Sequence, residues 1–394
     1  MPSATDRRES QTHRDDAVVV SVEGLDQIVT CLEAMGYKVM GPTLGESAIV
    51  PGPITSSADL PRGVHDLQTP GSYEILRGDD DEFFGWAVGP ESWKREHFEP
   101  SQVMWRSQIE GDTMIFREPA RAFTPLAILG ARPCEVAAMG ILDRVLKEGV
   151  HRDLRFSERR DASFVAVVEC ASPADTCFCA SMQSGPGIDD GFDLAFTELD
   201  DERGHRFVVR VGSPRGAEVL SSVATSPASE VDLTARALQL ESSARRMSRT
   251  VPVREVADLL TRNLEHPRWD EVAERCLSCG NCTLVCPTCF CSDVRDSTDA
   301  TGAVERRRTW SSCFDLEHSY LHGGAVRASS SSRYRQWLTH KLSTWWEQFD
   351  SSGCVGCGRC IVWCPVGIDL TEEVSAIAAS DGARAELSSS RGAS

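Results

Sequence analysis

The sequence predicts an α+β protein, with an N-terminal α/β domain followed by a smaller, mainly helical domain. Three observations carry this. Short apolar runs alternate with helical segments from Ala17 to about Gly212. A stretch rich in Gly, Pro, Ser and Ala follows at 213–250. Beyond it, helical periodicity surrounds two dense cysteine runs.

Ala17–Val22 reads as a strand, and Leu25–Met35 has helical spacing up to Gly36, a C-cap residue. Leu126–Leu129 is a short buried strand. Cys134–Lys147 has the spacing of an amphipathic helix ending at Gly149, and Phe164–Val168 is a second buried strand. Strand, helix, strand makes a βαβ unit and hence a parallel sheet. Arg206–Val211 and Val219–Val223 read as peripheral elements, which places the α/β domain at 17–212 and a linker at 213–250. In the domain at 251–372, Val256–Leu264 is helical and Trp269–Arg275 runs directly into the first cysteine run. Arg333–Phe349 reads as one aromatic-rich helix whose Trp337, Trp345 and Trp346 are packing residues. Residues 1–16 are charged and lack an apolar h-region, so they read as a disordered tail rather than a secretory signal, and 373–394 reads as a second tail.

The formal charge of −18 over 394 residues argues against nucleic acid, whose phosphates would be repelled. No apolar run approaches the roughly 18 residues that span a bilayer. With no export signal, sixteen cysteines point to metal or redox chemistry in the cytoplasm rather than to disulfides. Seven of them lie between Cys276 and Cys313 and four between Cys354 and Cys364.

Cys276-Leu-Ser-Cys279-Gly-Asn-Cys282-Thr-Leu-Val-Cys286-Pro287 is a C-x2-C-x2-C-x3-C-P run, and Cys354-Val-Gly-Cys357-Gly-Arg-Cys360-Ile-Val-Trp-Cys364-Pro365 repeats it. This is the bacterial ferredoxin pattern for 4Fe–4S clusters. Three thiolates at such spacing wrap three corners of a cubane while backbone N–H groups turn toward its sulfides. Gly280, Gly356 and Gly358 supply the latitude the loops need. The fourth cysteine points away and serves the other cluster. Cluster one is therefore expected on Cys276, Cys279, Cys282 and Cys364, and cluster two on Cys354, Cys357, Cys360 and Cys286, with 287–353 inserted between the halves of a helical dicluster ferredoxin-like fold. Zinc is the rival, but it prefers two separated C-x2-C knuckles.

A third set is Cys134, in Gly130-Ala-Arg-Pro-Cys134-Glu after one strand, and Cys170, Cys177 and Cys179 after the next. Parallel strands end at one sheet edge, where open α/β sheets place their sites. Four thiolates converging there suffice for a third 4Fe–4S cluster. The alternative is that Cys134 and Cys170 are small buried hydrophobes. Cys289, Cys291 and Cys313 read as packing around a cluster, and Cys31 as core. No G-x-G-x-x-G or G-x-x-x-x-G-K-[ST] appears, so neither flavin nor NAD(P) is expected on this chain. No catalytic residue is assigned, which leaves single-electron transfer.

Gly130-Ala-Arg-Pro-Cys134-Glu, Cys170…Cys177-Phe-Cys179 with Ser184-Gly-Pro186, Cys286-Pro-Thr-Cys289-Phe-Cys291, Arg308-Thr-Trp310-Ser-Ser-Cys313, His340-Lys341 and the Cys354 run occur in this order. Together they resemble the beta subunit of cytosolic NAD(P)-linked nickel–iron hydrogenases, or sulfhydrogenases, a family that includes the electron-transfer subunit of anaerobic sulfite reductase. The resemblance covers about Val18 to Leu370. Ser311 departs from it, where the family would have an aspartate. The resemblance implies a relay between a flavin/NAD(P)H-binding subunit and the small and large nickel–iron subunits of a hydrogenase. The sulfite reductase branch would instead have a sirohaem partner. A redox-sensing or zinc-binding interaction module is the reading from another class.

Overall fold

The computed structural model of the chain describes residues 17–120 and 122–391, with side chains as far as Asp381. The expected tail at 1–16 lies outside the described residues.

The larger sheet has eight strands: β1 (Val18–Val20), β2 (Lys38–Leu44), β3 (Ile49–Pro53), β4 (Leu126–Ala131), β5 (Phe164–Val168), β6 (Leu194–Asp201), β7 (Gly204–Val211) and β8 (Ser226–Pro227). Their spatial order is β8-β1-β7-β6-β5-β4-β2-β3. The four strands β2, β4, β5 and β6 are parallel, and the flanking pairs are antiparallel. All five residues of β5 are buried, as a parallel strand covered on both faces requires. On one face lies the helix Val22–Ala34. Its N-terminus is capped by Ser21, whose hydroxyl accepts from the Gly24 amide at 3.2 Å. Leu25, Ile28, Val29 and Leu32 form its apolar stripe against Phe164, Phe196 and Phe207. Each side chain so buried stabilises the fold by roughly 1.5–3 kcal/mol.

The helix Pro133–Leu146 crosses from β4 to β5. Proline suits its first turn, and the Glu135 carboxylate accepts from the Arg132 amide at 3.1 Å, fixing the start of the helix. The crossover sets the carboxyl ends of β4 and β5 side by side, with Ala131 opposite Val167.

Several expectations differ from what is found. Arg206–Val211 is not peripheral: it belongs to β7, paired on both sides, with Phe207, Val208 and Val209 fully buried. Val219–Val223 likewise packs into the sheet's core. Residues 213–250 are no linker but carry the helices Pro214–Leu220 and Glu230–Arg246. Their small residues serve close packing, since a Cβ at Gly216 would lie 2.1 Å from the Asp193 carbonyl oxygen. The expected tail from 373 begins inside the helix Leu370–Arg391. There Val374 and Ile377 are buried, and Glu373 pairs with Arg268 and Arg275. The aromatic helix is interrupted: α-helices Ser330–Thr339 and Trp345–Phe349 flank a π-turn at His340–Thr344.

The helical half packs around Trp269, Tyr334, Trp337, Leu338 and Ile361. Its insertion reaches back to the first half. The hairpin Ser292–Thr298/Val304–Trp310 pairs with Ser101–Glu110 and, through it, with Thr113–Arg117 in a four-stranded sheet. The ion pairs Arg308–Asp153 and Arg359–Glu135 tie the same seam.

Candidate metal centres

Each cysteine run folds into the same local shape. Cys276 ends the helix Arg268–Arg275, and a short helix, Asn281–Leu284, starts after Gly280 in the left-handed conformation. The second run repeats this with Gly358 and Arg359–Val362. In both, the amide two residues after the first cysteine donates to its sulfur at 3.4 Å: Ser278 N to Cys276 Sγ, and Gly356 N to Cys354 Sγ. Ser278 and Gly356 occupy matching left-handed positions, φ 51° and 64°.

The first cavity is lined by Cys276, Cys279, Cys282 and Cys364, and also by Cys360. Tyr334 and Trp337 line it too, and their Oη and Nε1 atoms are buried donors with no protein partner. Sulfide acceptors in the cavity would satisfy them. The second cavity is ringed by Cys286, Cys354, Cys357 and Cys360, with Lys341 beside them. The expected crossed sets are thus brought together, Cys364 with the first run and Cys286 with the second. Among the described residues, no three His, Cys, Asp or Glu side chains are grouped to hold a single metal ion. Thiols around a cavity suit a cubane better than zinc, which draws its ligands to about 2.3 Å.

A third cavity at the carboxyl ends of β4 and β5 is lined by Cys134, Cys170, Cys177 and Cys179. Cys134 stands in the first turn of Pro133–Leu146, and the Cys170 carbonyl accepts from Ser243 Oγ at 2.7 Å. Next to Cys170, the buried Glu169 carboxylate pairs with Arg210 and Arg236. Burial, the largest single influence, pushes its pKa up, but the hydrogen bonds from Arg236 and Thr197 and the charges of Arg236 and Arg210 together hold it below the usual carboxylate range. Arg132 lines the cavity, fully buried, donating to the carbonyls of Phe84, Trp86, Ala87 and Glu169.

The three cavities adjoin. Cys360 lines both the first and the second. Cys357 of the second packs in one cluster with Cys134, Cys177 and Cys179 of the third. The backbones interlock there: Phe178 N donates to Gly356 O at 2.8 Å, and a Cβ on Gly356 would lie 2.7 Å from Phe178 O. Gly358 likewise leaves no room for a Cβ, which would meet Thr176 O at 2.7 Å. Exposure falls along the row. Cys279 is exposed, while all four cysteines of the third set are buried.

Burial pushes the thiols up: Cys354 and Cys313 to about 12, and Cys134, Cys177, Cys282 and Cys360 well above the usual thiol range. Cys286 goes the other way, pulled well down by a hydrogen bond with Cys289 and, beyond that, by the Lys341 ammonium. Buried thiols that resist ionisation make metal loading a proton-releasing step.

Reading the sequence alone missed the cations and donors of these sites: Arg132, Arg359, Lys341, Lys94, Tyr334 and Trp337. Arg132 and Arg359 sit inside the cysteine motifs, which was the available signal. Cys289, Cys291 and Cys313 ring none of the three cavities. Cys31 packs partly buried on the sheet's core. Beside Ser311, Asp315 accepts from Ser312 N at 2.9 Å and from Ser311 Oγ at 3.3 Å.

Comparison with known proteins agrees with the geometry. Residues 275–368 match the family model of the 4Fe-4S dicluster domain. The chain is 31% identical over 245 residues to sulfhydrogenase 2 subunit beta of Pyrococcus furiosus, an alignment covering 61% of this chain and 71% of that protein. No solved structure matches it.

Proposed function

Because the chain belongs to the family of sulfhydrogenase beta subunits, with an iron–sulfur electron-transfer role, we propose that it carries single electrons along three 4Fe–4S sites within a hydrogenase complex. Its neighbours in that complex would be a flavin/NAD(P)H-binding subunit on one side and nickel–iron subunits on the other. The observation that carries the reading is the row of three adjoining thiol-lined cavities, joined through Cys360 and Cys357.

In this reading Cys276, Cys279, Cys282 and Cys364 hold the first cluster, and Cys354, Cys357, Cys360 and Cys286 the second. Cys134, Cys170, Cys177 and Cys179 hold the third. When bound, the clusters supply reversible one-electron storage. The protein does the rest. Backbone amides of Ser278 and Gly356 donate to ligand sulfur, Tyr334 and Trp337 point neutral donors into the first site, and Lys341 and Arg132 place positive charge at the deeper two. Such hydrogen bonds and charges set cluster potentials. The surface terminus of the row is at Cys279, flanked by exposed Leu277, Leu284 and Val366, where a redox partner would dock. No helix among the described residues is long and apolar enough to cross a membrane.

Anaerobic purification with native partners tests this. The expected result is about twelve iron and matching acid-labile sulfide per chain, with flavin and nickel in the copurifying subunits. About eight iron would remove the third site. Bound zinc, or a sirohaem partner without nickel, would overturn the reading.

A further inference from the structure

The helical half breaks its aromatic helix at one place, the π-turn His340–Thr344. A π-turn inserts a residue and re-aims the side chains that follow, and such turns gather at functional sites. The side chain delivered here is Lys341, 6% exposed. Its Nζ lies 3.2 Å from Cys286 Sγ, 3.0 Å from Thr288 Oγ1 and 3.4 Å from Gly353 O.

A second buried lysine holds the same loop. Lys94 Nζ donates to the carbonyls of Cys286 at 2.8 Å and Cys289 at 3.0 Å, and sits 3.9 Å from the centre of the Trp310 ring. Lys94 spends its hydrogen bonds on backbone carbonyls, whereas Lys341 makes one directly to the Cys286 sulfur. The charged partners that face Lys341 are the thiols of Cys286, Cys289 and Cys354. The other two cavities differ. The first has neutral donors, Tyr334 and Trp337, and a ligand open to water. In the third, Arg132 is saturated by four carbonyls.

An electron held at the second site would add a negative charge beside the buried Lys341, Cys286 and Cys357. In a medium of low dielectric, an ammonium in hydrogen-bond contact with a ligand sulfur favours the reduced form strongly. We propose that Lys341 sets the potential of the second site above that of the first, making the middle of the row the place where an electron rests. The inference builds on the three-site relay proposed for the chain. Clusters held by Cys276, Cys279, Cys282 and Cys364 and by Cys354, Cys357, Cys360 and Cys286 would supply one-electron exchange between the two sites, with no bond made or broken, and Lys341 would favour residence of the electron at the second.

The test is an EPR-monitored redox titration of the full chain in its complex, comparing wild type, Lys341→Met and Lys341→Arg. Poised at the wild-type midpoint of the second cluster, Lys341→Met is expected to show at least a tenfold lower reduced-to-oxidised ratio, equivalent to about 59 mV for one electron. Lys341→Arg is expected to recover most of this, with the first cluster's midpoint unmoved in both. If Lys341→Met does not hold the second cluster, Lys341→Gln carries the same expectation. An unchanged midpoint in an uncharged variant that retains the cluster overturns the inference while leaving the relay standing. Loss of the second cluster in all three variants also overturns it, because the side chain is then a packing element. Wild-type protein without a second cluster defeats the relay reading itself.

Discussion

The two cysteine runs share one local shape and differ in nearly everything around it. Leu277 and Val355 hold the same place in their runs, yet Leu277 is 64% exposed and Val355 3%. Leu284 and Val362 differ in the same way, at 44% and 2%. Asn281 is exposed where the matching Arg359 is fully buried and paired with Glu135. The first run faces outward. The second is wedged against the third cavity, with Gly356 and Gly358 touching the backbone of 176–179. Spacing dictates how a loop can wrap a cluster, whereas tertiary packing decides whether that cluster meets a partner or stays in the interior.

The crossing of the fourth ligands is the strongest test of how separate the runs are. Cys364→Ala should remove the first cluster, about four iron, although it lies in the second run, and Cys286→Ala should remove the second. Both should also lower stability, because cluster binding contributes to folding free energy. Spectroscopically intact first and second clusters in Cys364→Ala would break the crossing. Next in size, Cys177→Ala should cost about four iron while sparing both runs; unchanged iron would show that the second run packs against cysteines holding no cluster.

Packing should separate the runs at matched positions. Val355→Ala should cost about 2 kcal/mol in thermal or denaturant unfolding, and Leu277→Ala less than about 0.5 kcal/mol. Leu277→Glu should slow electron exchange with the partner at unchanged iron content; full exchange would move the docking face elsewhere. A further pair compares backbones. Gly356→Ser meets both a left-handed φ and a carbonyl 2.7 Å away, so about 2 kcal/mol is expected. Ser278→Gly, at the matching position, should change stability by under about 1 kcal/mol.

The smallest effect concerns the seam holding the second run. His97, on the short helix that also carries Lys94, is buried, and desolvation, with Arg160 and Arg159 nearby, drives its pKa down from 6.5 to about 3. Between these values only the unfolded chain takes up the proton, so stability is full above pH 6.5 and is lost as pH falls toward 3. The first pH unit below 6.5 should cost about 1 kcal/mol. His97→Gln, followed by unfolding at several pH values, should flatten that slope.

Much of this was legible in the sequence. The β4–helix–β5 unit followed from apolar runs with one helical segment between them, and the three cysteine sets followed from motif spacing and strand ends. The misreadings share a cause. Residues 213–250 look like a linker because Gly, Ser and Ala are abundant, but in a packed interface small residues allow close approach, as Gly216 does against Asp193. β7 looks peripheral because its arginines mask an alternation whose partners, β6 and β1, are distant in sequence or across a turn.

By itself the sequence determined where cysteines of cluster-binding spacing stand, because such spacing acts over a few residues of backbone and repeats wherever it occurs. Only the tertiary structure decided which cavity reaches solvent, which lies against which, and where the buried cations stand. Lys341 is 55 residues from Cys286 along the chain, and Arg359 meets a Glu135 that is 224 residues away. Electrostatic and solvent environments are properties of what surrounds a group in space, and no local pattern encodes them.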